Sequence, residues 1–309
     1  MVAHHAQRVL RGYLADGRVE TIIFVDGGSY GARGLDGPRL GKQLTRLAGK
    51  PVGVVQLTLA GANHFERHAI MKSLFDNLAP SEVQALKARH VVLLLEINHG
   101  YDANPLAQVN EKNYFSERLY GYLTPVNTWY AIKAMREVSG EVDWKRSAAV
   151  AAHAFMNFLN VGVRSRMTNI DDIGFRPGYT PLRSGSKAVF RSVMHVLDDA
   201  GGNGAPAKNT WVDTIRTPRL LATMRGVVTR VAYYMPPSAS ASYLAYAKAF
   251  CRSHAGEACV DYGDARLLRS IDRKDFWYDK SHLLAKGAVR YTDWLARKLN
   301  TELVLGAGS

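Results

Sequence analysis

The 309-residue chain is 47% hydrophobic and sets 40 Lys and Arg against 27 Asp and Glu, a formal net charge of +13. That apolar content suffices for one large core and excludes general disorder, while no apolar run approaches the roughly 18 residues that a membrane-spanning helix needs. The charge suits an anionic partner such as an acidic glycan, teichoic acid, a membrane surface or nucleic acid, but Lys and Arg are dispersed and neither an RNP1 motif nor paired CxxC motifs occur, so nucleic acid is not the expected partner.

The N-terminal stretch MVAHHAQRVLRGY lacks the apolar core and cleavage site of a signal peptide. Because it starts a few residues before the first predicted strand, a leader or membrane anchor preceding residue 1 is expected. His4 and His5 are read as incidental or as a remnant of cloning. The first strand is TIIFV (21–25), which runs directly into the glycine-rich turn GGSYGARG. RLGKQLTRLA then reads as a helix, PVGVVQLTLA (51–60) as a strand, the stretch from HFERH to Arg89 as helical, and HVVLLLEI (90–97) as a strand. Strand and helix alternate, which predicts an α/β fold with three α/β/α layers around a central, mostly parallel sheet.

The alternation lapses over 100–215, read as a large helical insertion or cap within a single domain spanning 1–309. It resumes with GVVTRVAYYM (226–235), the helical SASASYLAYAKAF, a short ACVDY strand and an amphipathic helix over 284–299, whose buried stripe is Leu284, Ala288, Tyr291, Leu295 and Leu299. Cys251 and Cys259 are the two cysteines. The short polar stretch between them allows a local disulfide, as would suit an oxidising compartment, or leaves two unrelated thiols.

The glycine turn has no G-x-x-x-x-G-K-[ST], so no lysine or hydroxyl stands where a phosphate cradle needs it, and its glycines at 27, 28, 31 and 34 do not form G-x-G-x-x-G. Ser29, just after the first strand of a parallel sheet, stands at the sheet's carboxyl edge, where such folds put their sites. On this segment alone, an ordinary structural turn is the better explanation. Partners for the serine come from DFWYDKSHLLAKGAVRYTDWLARKL, in which Asp279 and His282 are separated by two residues and project to one side of a turn. The carboxylate can fix the imidazole's tautomer while the other ring nitrogen takes a serine proton.

VDGGSYG and DKSHLLAKGAVRYTDWLA resemble the first and last blocks of the SGNH hydrolase superfamily. The resemblance makes Ser29 the nucleophile, His282 the general base and Asp279 its orienting partner, with no cofactor and no metal. It also implies an oxyanion hole of the Ser29 and Gly61 backbone N–H groups, from QLTLAGANHFER, with the amide of Asn98, from LLLEINHGYD, or of Asn63. Gly28 stands where the family commonly has the aspartate of G-D-S, and G-x-N-D is absent. With the insertion and basic charge, these departures resemble the branch that includes DltD and the alginate acetylation proteins AlgX and AlgJ. That branch acts on acyl groups of cell-envelope polymers beside membrane-bound O-acyltransferases. The implied activity is esterase or O-acetyltransferase chemistry on an extracytoplasmic, for example periplasmic, polysaccharide. A noncatalytic polymer-binding subunit and a small-ester hydrolase are the competing readings.

His64 and His68 stand four apart with Glu66 between them, but the motif is not H-E-x-x-H and no third ligand is identifiable, so solvent-facing or capping histidines are expected. His64 and Tyr30 are also candidates for substrate contact. The aromatics of NYFSERLYGYL and TWYAIKAM suit a sugar-stacking platform or a core, and Arg164, Arg166 and Arg176 suit an anionic polymer or a solvated surface.

Overall fold

The computed structural model describes residues 2–60, 62, 64–98, 192–199, 212–303 and 305, with isolated positions between 129 and 182. Five strands, β1 (Thr21–Asp26), β2 (Val52–Gln56), β3 (His90–Glu96), β4 (Arg230–Tyr234) and β5 (Ala258–Val260), form one sheet in the order β2-β1-β3-β4-β5. Every pairing is parallel, with Thr21 opposite Val52 and His90, Val92 opposite Arg230, and Ala232 opposite Ala258. The first three strands are buried almost throughout, as the unbroken β-branched and leucine runs require of strands covered on both faces. The expected three-layer α/β/α architecture is the one observed.

Helices α1 (Val2–Ala15), α4 (His64–Asp76) and α5 (Pro80–Lys87) pack on one another, and α2 (Ser29–Gly34), α3 (Gly37–Ala48) and the C-terminal α10 (Ala285–Glu302) form a second group. Local signals set several boundaries. Asp36 caps α3 by accepting the Arg39 N–H at 3.0 Å, Pro38 sits in its first turn, and Gly49 ends it at φ 69°. The helical stretch read continuously from residue 64 to 89 is two helices, because the residue before a proline is pushed out of the helical region and Ala79 stands at ψ 152°. Glu82 then accepts the Ala79 N–H at 2.7 Å. β1 runs one residue further than read, to Asp26, whereas β2 ends at Gln56, although the Leu57 and Leu59 N–H groups still donate to the Val25 and Gly27 carbonyls, and β4 starts only at Arg230, after the left-handed Gly226.

Sequence reading missed α1, whose Ala6 and Leu10 are buried while His4 and His5 are exposed. Its Tyr13 ring lies over Gly53, where an added Cβ would stand 2.8 Å from the ring. In α10 the predicted stripe is buried from Leu284 to Leu299, and Asp293 ties the helix to α3 through a two-point ion pair with Arg39 at 2.7 and 2.8 Å.

Helix α6 (His195–Asp199), a short π-helical turn (Val212–Arg216) and α7 (Thr217–Thr223) precede β4. Most of the 100–215 stretch read as an insertion, including Arg164, Arg166, Arg176 and NYFSERLYGYL, lies outside the described residues. So does most of TWYAIKAM, of which Trp129 is described and exposed. Leu182 bridges to Leu284 at the entrance to α10. Helix α8 (Ala241–Ser253) leads to β5 and is stapled to it by a disulfide between Cys251 and Cys259, eight positions apart. Helix α9 (Ala265–Ile271) follows β5. In the chain-entropy account a loop this short contributes about 2 to 3 kcal/mol. Replacing both cysteines by serine should lower the unfolding free energy by about that amount in urea titrations, and a reductant should then no longer affect stability.

Candidate active site

Strand order places β1 and β3 side by side while the chain leaves β1 towards β2 and leaves β3 towards β4. Helices therefore diverge to opposite faces there, opening a crevice beyond the carboxyl ends of these two strands, where open α/β sheets bind ligands. Ser29 is the first residue of α2, two glycines beyond the end of β1, and is half-buried. The glycines around it do not serve a left-handed backbone, since the positive-φ glycines among the described residues are Gly49 and Gly226. They are required by close approach: a Cβ on Gly28 would stand 3.2 Å from the Ala62 carbonyl, and one on Gly34 3.3 Å from Pro236.

His282 and Asp279 arrive on the loop before α10. Tyr278 N–H donates to the His282 carbonyl at 2.9 Å, closing the loop on itself, and Ala239 N–H and Ser238 Oγ from the segment after β4 hold the Lys280 carbonyl at 2.7 and 3.2 Å. Inside the turn, Asp279 Oδ1 accepts the backbone N–H groups of Ser281 and His282 at 2.7 and 2.8 Å. The same carboxylate meets His282 Nδ1 at 2.9 and 3.0 Å. A proton on Nδ1 is thereby fixed towards the carboxylate and Nε2 is left to act as a base. Burial pushes the Asp279 carboxyl up, but hydrogen bonding and charge from His282 with the two backbone donors outweigh it, and the net shift is downward.

The link between the two ends of the chain is Tyr30, the residue after Ser29. Its ring stacks on the His282 imidazole at a centroid distance of 5.3 Å and leans on Tyr243 at 5.9 Å. Burial, with Tyr243 and Glu96 nearby, raises the Tyr30 phenol well above its ordinary value despite a hydrogen bond with Ser281. Tyr30 thus braces the imidazole. Among the described residues no hydrogen bond joins Ser29 Oγ to His282. Such bonds are often long before substrate binds.

Gly61 and Asn63 lie outside the described residues. Asn98 is buried beyond β3, with Nδ2 3.5 Å from Glu96 Oε1. His64 opens α4 and is 4% exposed, which overturns the solvent-facing half of the expectation of a solvent-facing or capping histidine. His68 is half-buried beside Thr223, whose hydroxyl donates to the Arg219 carbonyl at 2.9 Å and so accepts from His68 Nε2–H at 3.0 Å. Burial, then Arg219 and Lys72, depress this histidine from 6.5 to about 4.

The unfolded chain takes up that proton below the ordinary value while the folded chain resists it down to the depressed one. The stabilisation is therefore complete above 6.5 and lost as pH falls towards about 4. Full expression would be roughly 3 kcal/mol, and partial solvent exposure cuts it to about 1 to 2 kcal/mol. His68→Gln should reduce the fall in urea midpoint between about pH 7.5 and 4.5 accordingly.

Sequence reading also missed a buried ionic network below the crevice. Asp26 ends β1 and is 1% exposed; Arg67 on α4 grips it through Nε and Nη2 at 3.0 and 2.6 Å, and Arg216 adds a third contact at 3.1 Å. Burial alone would raise the Asp26 carboxyl, yet the two arginines prevail and hold it down to about 2. The signal was present in IIFVD and LLLEI, where a carboxylate closes an apolar run and must find a buried partner. Among the described residues no three His, Cys, Asp or Glu side chains group as a metal site would need. No family model matches the chain, and no curated protein matches it.

Proposed function

We propose that this protein is a serine-dependent enzyme of the SGNH hydrolase type that removes or transfers an acyl group, an O-acetyl group in particular, on an extracytoplasmic polysaccharide. The observation that carries this reading is the imidazole of His282, oriented by Asp279 and stacked on the residue that follows Ser29 at the switch point of the sheet.

In this mechanism Ser29 Oγ attacks the ester carbonyl as His282 Nε2 takes its proton, and Asp279 stabilises the imidazolium. The Ser29 N–H, with Gly61 N–H and the amide of Asn98 or Asn63, receives the oxyanion. Collapse expels the alcohol, which recovers the proton from His282 and leaves an acyl-serine. Water or a sugar hydroxyl then attacks that ester, giving hydrolysis or transfer through one intermediate. The disulfide suits an oxidising compartment, and the net charge of +13 suits an acidic polymer. A membrane-bound O-acyltransferase is the partner that would supply the acyl group.

The competing reading is a noncatalytic polymer-binding subunit of an acylation complex. A serine-reactive fluorophosphonate separates the two. The enzyme should be labelled, with the adduct on Ser29 by peptide mass spectrometry, and should turn over p-nitrophenyl acetate; the binding subunit should do neither.

A further inference from the structure

Glu96 ends β3 with no exposed surface, and its carboxylate is turned into the Ser29 loop. Oε2 accepts the Gly31 N–H at 2.6 Å and the Gly28 N–H at 3.1 Å. These two glycines bracket Ser29 and Tyr30, so one oxygen holds the backbone on both sides of the hydroxyl. Room for that oxygen is what the glycines provide: a Cβ on either Gly27 or Gly31 would stand 2.7 Å from it. From below, Arg216 Nη2 donates to the Glu96 carbonyl at 3.0 Å, which ties the end of β3 to the Asp26 network.

We propose that Glu96 is the positioning residue of the nucleophile: its carboxylate clamps the Gly28–Gly31 turn and so sets where Ser29 Oγ stands relative to His282. The residue touches no substrate and acts through the backbone of the turn, and the inference rests on reading Ser29 as the nucleophile.

Three substitutions separate reach from acidity. Glu96→Asp keeps a carboxyl group but withdraws it by one methylene, out of hydrogen-bond reach of the two N–H groups. Glu96→Gln loses the acid but keeps an oxygen able to occupy the Oε2 position. Glu96→Ala removes both. Each variant is assayed for kcat and KM with p-nitrophenyl acetate, normalised to Ser29 sites titrated by fluorophosphonate. Amide hydrogen exchange is followed across residues 26–34.

The Asp and Ala variants should lose about 100-fold in kcat with KM within about threefold, and exchange at Gly28 and Gly31 should accelerate at least about tenfold. The Gln variant should return kcat to within about fivefold of the parent and restore protection. A purely structural role would reduce the folded fraction and leave kcat per titrated site unchanged.

Parent-like kcat per site in Glu96→Asp, or failure of Glu96→Gln to restore it, overturns the proposal. Should Glu96→Ala not fold, the Asp and Gln pair decides alone. A parent that neither labels nor turns over, while exchange still follows the stated order, instead overturns Ser29 as nucleophile and leaves the glutamate as a backbone clamp only.

Discussion

Ser29→Ala should lower kcat/KM for p-nitrophenyl acetate by at least about 10,000-fold and abolish fluorophosphonate labelling. The size follows from what the hydroxyl does. Without it no acyl-enzyme forms, and His282 and Asp279 have no proton to move, so the three groups fail together and not in part. What remains is the rate that oxyanion donors and substrate binding give to attack by water. Loss of a single oxyanion donor costs only about 3 kcal/mol, some 100- to 1,000-fold, so Asn98→Ala should be the milder lesion if its amide serves there.

The fold is a clean background for the test. Ser29 is half-buried and its side chain makes no hydrogen bond among the described residues, so removing one oxygen should change stability by less than about 0.5 kcal/mol. Far-UV circular dichroism and a urea titration check this. Retention of parent-level turnover and labelling in the folded variant would remove the basis for catalysis at this turn.

Asp26→Ala should cost about 3 to 5 kcal/mol of stability, a large fraction of what a folded domain has. The carboxylate stands between two buried guanidinium groups, and deleting it takes from both the opposite charge that offsets their burial. Asp26→Asn keeps the shape but not the charge, and should lose most of the same stability. Replacing Asp26, Arg67 and Arg216 together by apolar residues of similar size should recover a large part of the loss, since the penalty belongs to the unpaired charges. Urea midpoints read all three.

The parent has a matching acid signature. Because Asp26 is depressed from 3.8 to about 2, the stabilisation is fully present above the higher value and lost as pH falls through the lower one. The amount is about 2 kcal/mol, and it should be missing from the Asp26→Asn profile. If Asp26→Ala unfolds within about 1 kcal/mol of the parent, the network does not hold the strand ends as described.

Much of the fold was legible because burial leaves a local trace. Runs such as TIIFV and HVVLLLE are apolar on both faces and so announce strands covered from two sides, and the spacing from Ala288 to Leu299 announces one helical face. Helix α1 escaped because its fully buried positions are Ala6, Gln7 and Leu10, set among histidines and arginines, while Ala3, Val9, Tyr13 and Leu14 pack on the core only in part. The glycines were legible as a turn but not for their cause. Read locally they suggested backbone freedom, whereas the neighbours that crowd them come from residues 58, 62, 96, 234 and 236.

By itself, then, the sequence determined the strand–helix alternation, the parallel sheet it implies and the Asp279–His282 pair, whose members are three positions apart and held by one turn. Only the tertiary structure decided that Tyr30 lies on His282, that Asp26 has two arginines and that Glu96 holds the turn around Ser29. The reason is physical. Periodicity and capping act over a few residues and leave their mark in the string of letters, but partners from distant segments meet through strand order and burial, which bring the strand ends and the last loop to a common edge of the sheet.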